Sequence, residues 1–157
     1  MTSSERAASV GTLEPIRLSF EVACPVDRAF HLWTADIATW WPKDHSVTGD
    51  PDLTVVLEPR QGGRIFERLP DGTEHDWGGI TTWEPPRRFA YTWHLNTDRS
   101  DATDVEIRFT PGDDGMTRVE IEHTGWERLG ARGEAWQQRN HAGWSTLLPY
   151  YVAATRG

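Results

Sequence analysis

Between Gly62 and Trp93 the chain leaves little freedom of fold. Gly62-Gly63-Arg64-Ile65-Phe66-Glu67 runs through Asp71-Gly72 and Trp77-Gly78-Gly79 to Glu84-Pro85-Pro86-Arg87-Arg88-Phe89-Ala90-Tyr91-Thr92-Trp93. Asp-Gly tolerates the positive backbone dihedrals of a tight hairpin, and Pro-Pro has no N–H to give to a ladder, so both must lie between strands. The segment is therefore predicted as three consecutive antiparallel strands, over 63–69, 74–83 and 88–95.

Upstream, Ile16, Leu18, Phe20 and Val22 alternate with Arg17, Ser19 and Glu21, the period-two mark of a strand with one buried face. Pro25 ends that strand and suits the first turn of a helix over 26–34, where Val26, Ala29, Phe30 and Trp33 fall at helical spacing. Ile37, Trp40 and Trp41 share a face of a second short helix that Pro42 stops. A strand over 53–57 precedes the three above, and a polar loop over 96–103 follows them. Val105, Ile107 and Phe109, then Val119, Ile121 and His123, alternate with charged residues on two further strands joined by a turn at 112–115. Trp136, Asn140, Trp144, Leu147, Leu148 and Tyr151 lie along one face of a long helix, about 134–154. Gly130-Ala131-Arg132-Gly133 reads as its flexible entrance, and Pro149 is expected to kink or fray it near Ser145.

Strand, two short helices, six strands and a long helix predict an α+β fold, with a curved seven-stranded antiparallel sheet wrapped around the C-terminal helix. A curved sheet cannot pack its concave face against a long helix tightly along its whole length, so a pocket is left between them. The pattern of Gly-Gly, apolar strand, Asp-Gly, glycine-containing strand, Pro-Pro-Arg-Arg and an aromatic strand ending in Thr-Trp resembles one family, and the resemblance covers the chain from about Ile16 to Ala154. That family is the activator-of-Hsp 90-ATPase-homologue-like branch of the START/Bet v 1-like helix-grip (SRPBCC) superfamily. The resemblance implies a helix-grip fold whose pocket between sheet and long helix is the ligand site; it implies a cavity and not a reaction.

Composition narrows the remaining classes. With 157 residues, one START/Bet v 1-like domain over 14–157 is expected, preceded by a disordered tail over 1–13 that has little to bury. A formal net charge of −8 argues against nucleic acid or an anionic membrane as a general partner. Cys24 is the only cysteine, so there is no internal disulfide and no thiolate zinc cluster. The six histidines have no metal-ligand spacing, and no dinucleotide, phosphate-loop or serine-elbow motif occurs, so neither metal nor cofactor is expected. No apolar run approaches the roughly 20 residues of a membrane span, and Met1 to Thr12 lack the apolar core of a secretory signal; a cytoplasmic location is expected.

Nine tryptophans are spread over the chain, and either core filling or a ligand cavity accounts for them. Strand parity turns Phe89, Tyr91 and Trp93 inward together with Ile65, Glu67 and Leu69, and with Val119, Ile121 and His123. Glu67 and His123 break the apolar rule. They are either polar anchors or an acid/base pair for a ligand, or else they reach solvent at a strand end or pair with an arginine. Ile80 is expected inward; Trp77 depends on whether Gly78-Gly79 forms a bulge that switches parity. Asn140, between Trp136 and Trp144, either contacts a ligand or bonds an indole or water. The expected cavity residues are thus Trp41, Glu67, Trp77, Ile80, Tyr91, Trp93, His123, Trp136, Asn140 and Trp144. Asp44-His45-Ser46 reads as a surface loop, since adjacent residues do not make a catalytic triad.

Three functions are compatible with this reading. The preferred one is a carrier or sensor for a small hydrophobic or aromatic molecule. The second is an enzyme like the superfamily's polyketide cyclases and aromatases, with Glu67 and His123 moving protons. The third, a co-chaperone or stress-response interaction protein, is suggested only by the family's name. Edge strands of such a sheet can pair, so a homodimer is compatible with each.

Overall fold

The computed structural model describes residues 14–94 and 101–157. The expected tail over 1–13 and the loop residues 95–100 lie outside the described residues. Seven strands form one sheet: β1 (Ile16–Val22), β2 (Thr54–Leu57), β3 (Arg64–Arg68), β4 (Glu74–Glu84), β5 (Arg88–Trp93), β6 (Thr103–Pro111) and β7 (Thr117–Thr124). Helix α1 (Val26–Trp33) and a 3₁₀ turn (Ile37–Thr39) follow β1; a 3₁₀ segment (Trp126–Arg132) and helix α2 (Gly133–Thr155) close the chain. The spatial order is β1-β7-β6-β5-β4-β3-β2, and every pair is antiparallel. The first strand therefore pairs with the last, and α1 with its following loop carries the chain from one sheet edge to the other. This is the helix-grip architecture.

Alternation along the strands builds the concave face in rows. Phe20 lies opposite Val119, and Val119 opposite Phe109; Leu18, Ile121, Ile107 and Phe89 form the next row, and Ile16, His123, Val105 and Tyr91 the one after, with Ile80 beyond. Phe89, Ile107, Val119, Ile121 and Val105 are all at most 2% exposed. On the opposite face Phe66, also buried, is covered by the guanidinium groups of Arg64 and Arg68, 4.1 and 5.3 Å from its ring centre.

Strand β4 holds the irregularity that the glycine pair implied. Its register slips by one residue against β3 between Ile65 and Phe66, and again against β5 between Ile80 and Thr82. Trp77 is the residue left over in the first slip. Trp77 and Ile80, three apart, are thus both buried, at 0% and 3% exposure. Gly78 makes this close approach feasible, because a Cβ there would lie 1.8 Å from the Thr92 carbonyl oxygen of β5.

The two ends of α2 pack differently. Toward its C-terminus Tyr151 is fully buried, donates its hydroxyl to the Ala29 carbonyl at 2.8 Å and lies with its ring 4.4 Å from that of Trp33. Phe30 and Trp33 of α1 fill the space beneath. Toward its N-terminus Trp136 and Asn140 are only half-buried. The helix runs through Pro149 as one element, and the segment expected as a flexible entrance is instead the 3₁₀ segment, with Gly130 at φ 59° and Gly133 buried in the first turn of α2. No described helix is long and apolar enough to cross a membrane.

Candidate functional site

Where the N-terminal half of α2 stands off the sheet, a groove of about 220 Å³ opens. Five residues expected from the sequence line it together: Trp41, Trp93, Trp136, Asn140 and Trp144. Trp41 hangs from the loop after the 3₁₀ turn, its indole N–H donated to the His45 carbonyl at 2.7 Å. Trp93 ends β5, and its ring centre is 6.0 Å from that of Trp41. The helix supplies Trp136, Arg139, Asn140, Gly143, Trp144 and Leu147, at spacings of three and four that keep them on one face. Arg139 and Gly143 escape a search for apolar periodicity because neither is apolar, although both lie on the same stripe.

The opposite wall is Asp44-His45-Ser46, the segment read from the sequence as a surface loop; it is a loop, and it lines the groove. The side chain of His45 is 24% exposed; its Nδ1 lies 3.2 Å from Asp44 Oδ1 and its Nε2 2.9 Å from Thr146 Oγ1 of α2. It thus bridges loop and helix across one end of the groove. Ser46 is not a nucleophile of a triad: its hydroxyl donates to the Lys43 carbonyl at 2.5 Å and accepts the Gly49 N–H at 2.8 Å. No sequence signal finds His45, because its partner Thr146 is 101 residues away.

Glu67 and His123 are turned inward as parity requires, but neither lines the groove. Both are satisfied by the protein itself. Glu67 is fully buried and its carboxylate accepts four hydrogen bonds: Oε1 from the Val47 N–H at 2.6 Å and the Trp77 indole at 2.8 Å, Oε2 from the Thr48 N–H at 3.1 Å and hydroxyl at 2.7 Å. Burial is the largest single influence and raises its pKa, yet the four donors together outweigh it and hold the group below the usual carboxylate value. Glu67 neither reaches solvent nor pairs with an arginine; its four bonds pin the segment that follows His45.

His123 is 1% exposed. The Trp144 indole N–H can only donate, so Nδ1, 3.1 Å away, accepts and Nε2 carries the proton. Nε2 donates to Thr103 Oγ1 at 2.7 Å, and that hydroxyl in turn donates to the Trp93 carbonyl at 3.3 Å. Burial lowers the pKa of this neutral imidazole to about 3. It meets the groove through Trp144, whose indole it holds. Trp77 and Tyr91 lie beneath the groove around a void of about 10 Å³, with Trp41 and Trp93 as the floor between the two spaces, and Ile80 packs in the core. Among the described residues no group of three or more His, Cys, Asp or Glu side chains could hold a metal ion.

This fold and site define a helix-grip protein with an aromatic-walled groove under its C-terminal helix. The family model described as activator of Hsp90 ATPase homolog 1-like protein matches residues 23–150, and the chain belongs to that family. Among solved structures, the chain is similar to the anthrahydroquino-gamma-pyrone synthase Txn09, with 34% identity over 80% of this chain and 85% of that one and a TM-score of 0.58. It is also similar to the self-sacrificing resistance protein CalC of Micromonospora echinospora, with 27% identity over 90% and 93% of the two chains and a TM-score of 0.69. Protein NE0264 of Nitrosomonas europaea shares the fold at 16% identity, over 94% and 96% of the chains, with a TM-score of 0.62. A comparison with curated proteins gives no match.

Proposed function

We propose that the protein binds a planar, polycyclic aromatic small molecule in the groove under the N-terminal half of α2, as a carrier or sensor. The observation that carries this reading is the convergence of four indoles, Trp41, Trp93, Trp136 and Trp144, on one opening that also holds the polar side chains of His45, Arg139 and Asn140. Flat apolar walls with a few polar groups suit stacking plus orientation. A volume of about 220 Å³ lies below the roughly 300–1,000 Å³ typical of sites that enclose a drug-sized ligand, so a polycyclic ligand would project from the mouth.

A second reading, catalysis on such a ligand, is favoured by one relative and one side chain. Txn09 is by name an anthrahydroquino-gamma-pyrone synthase, and at 34% identity it supports an aromatic substrate here. His45 lines the groove beside Asp44 and is of a residue type suited to proton transfer, whereas Glu67 and His123, the candidates expected from the sequence, do not line it.

One experiment addresses both. The protein is titrated with 1,8-dihydroxyanthraquinone, following tryptophan fluorescence and the thermal midpoint, and the ligand is recovered for mass analysis. Saturable quenching is expected, with stabilisation of about 2.7 kcal/mol at a hundredfold excess over Kd, and Trp136→Ala should weaken binding at least tenfold. An unchanged ligand supports the carrier, whereas a new product supports the enzyme. No saturable response to this compound or to a wider panel of polycyclic phenols and hydrophobic acids would overturn the proposal.

A further inference from the structure

Resting on that groove reading, we infer that the site selects aromatic molecules carrying an anionic oxygen, a phenolate or a carboxylate, with Arg139 as its counter-charge. Arg139 lines the groove with its guanidinium carbon 4.9 Å from the ring centre of Trp136. Among the described residues its side chain meets only this ring: it has neither an ion-pair partner nor a hydrogen-bond acceptor. Most of the described arginines on this acidic protein are committed instead, among them Arg17 to Glu122, Arg68 to Glu74, Arg88 to Glu84 and Glu106, and Arg128 to Asp104. The carboxylate on the facing wall does not take up the charge of Arg139. Asp44 Oδ1 is directed at His45 Nδ1, and His45 is tied in turn to Thr146.

Geometry fixes the direction of the preference. A guanidinium stacked on an indole keeps its edge N–H groups free, and these are the groups that grip a carboxylate or phenolate in two-pronged fashion. A ring lying against Trp93 or Trp136 would carry an oxygen substituent into reach of that edge. One residue further on, Asn140 spends one Nδ2 proton on the Trp136 carbonyl at 2.9 Å, leaving its second N–H and its Oδ1 for a neighbouring keto or hydroxyl group. The groove thus has a charged donor beside a neutral donor and acceptor, a pattern suited to an aromatic ring with adjacent oxygens of which one is ionised.

The test is a matched pair of probes, anthraquinone-2-carboxylate and anthraquinone-2-carboxamide, with the same ring and similar size. Wild-type protein at low salt should bind the carboxylate about tenfold tighter, with the gap narrowing as salt is added. Arg139→Met should bring the two affinities together, and Arg139→Lys should restore part of the difference. Equal wild-type affinities, or a preference that survives in Arg139→Met, would overturn the inference while leaving the aromatic groove standing. Failure of both probes to bind would overturn the groove reading along with it.

Discussion

Replacing Glu67 by Gln exchanges one carboxylate oxygen for an amide –NH₂ and should cost far more than the size of the change suggests. The two donors on Oε1, the Val47 N–H and the Trp77 indole, cannot reverse their polarity, so the amide oxygen must stay with them. The –NH₂ group then faces Thr48. The Thr48 hydroxyl can turn to accept, but its N–H cannot, and it is left opposed to another donor. One buried N–H without an acceptor costs about 1–3 kcal/mol, and converting the three surviving bonds from charge-assisted to neutral loses about 1 kcal/mol each, so the expected destabilisation is about 4–6 kcal/mol. Urea unfolding followed by circular dichroism measures it, and amide exchange should accelerate at Val47 and Thr48. The pH dependence provides an independent check. Because Glu67 titrates below its unfolded value, its stabilisation is complete above the unfolded carboxylate pKa and is lost as pH falls through the folded one. Glu67→Gln lacks that acid-side component. A variant within about 1 kcal/mol of wild type, with unchanged acid sensitivity, would refute the assignment of Glu67 as the anchor of the loop.

Two other perturbations probe the framework of the groove. His123, neutral in the fold with its pKa lowered to about 3, takes up a proton on unfolding at any pH between that value and about 6.5, so it should make stability fall as pH drops through this window, by up to about 1.4 kcal/mol per unit; His123→Gln should make the slope shallower by that amount in a series of urea melts, and a slope unchanged from wild type would disprove a neutral His123. Gly78→Ala places a methyl group 1.8 Å from the Thr92 carbonyl oxygen, and the strands must separate, costing about 2–4 kcal/mol in thermal or chemical unfolding; a stability unchanged from wild type would show that β4 does not pass so close to β5.

The fold was legible because its determinants are local. Asp71-Gly72 and Pro85-Pro86 placed the turns, strand alternation placed Val119, Ile121 and His123 on the buried face, and the stripe from Trp136 to Tyr151 placed the long helix. The groove was legible in part for the same reason. Trp136, Asn140 and Trp144 share one helical face, while Trp93 follows the parity of Phe89 and Tyr91. Parity also brought Glu67 and His123 inside, but it says nothing of what a buried polar group meets there. Glu67 meets backbone N–H groups 19 and 20 residues away, and His123 meets an indole 21 residues away.

The sequence by itself determined the order of the elements, the hand-over from strands to a final amphipathic helix and the inward set of side chains, since turn chemistry and periodicity act between neighbours in the chain. Tertiary structure alone decided that the C-terminal half of α2 is sealed by Trp33 and Tyr151 while its N-terminal half stays open. It also decided that His45 spans from its loop to Thr146 and that Arg139 faces the opening without a carboxylate partner among the described residues. Those outcomes depend on which side chains arrive at the same place from distant parts of the chain, and no local periodicity encodes that.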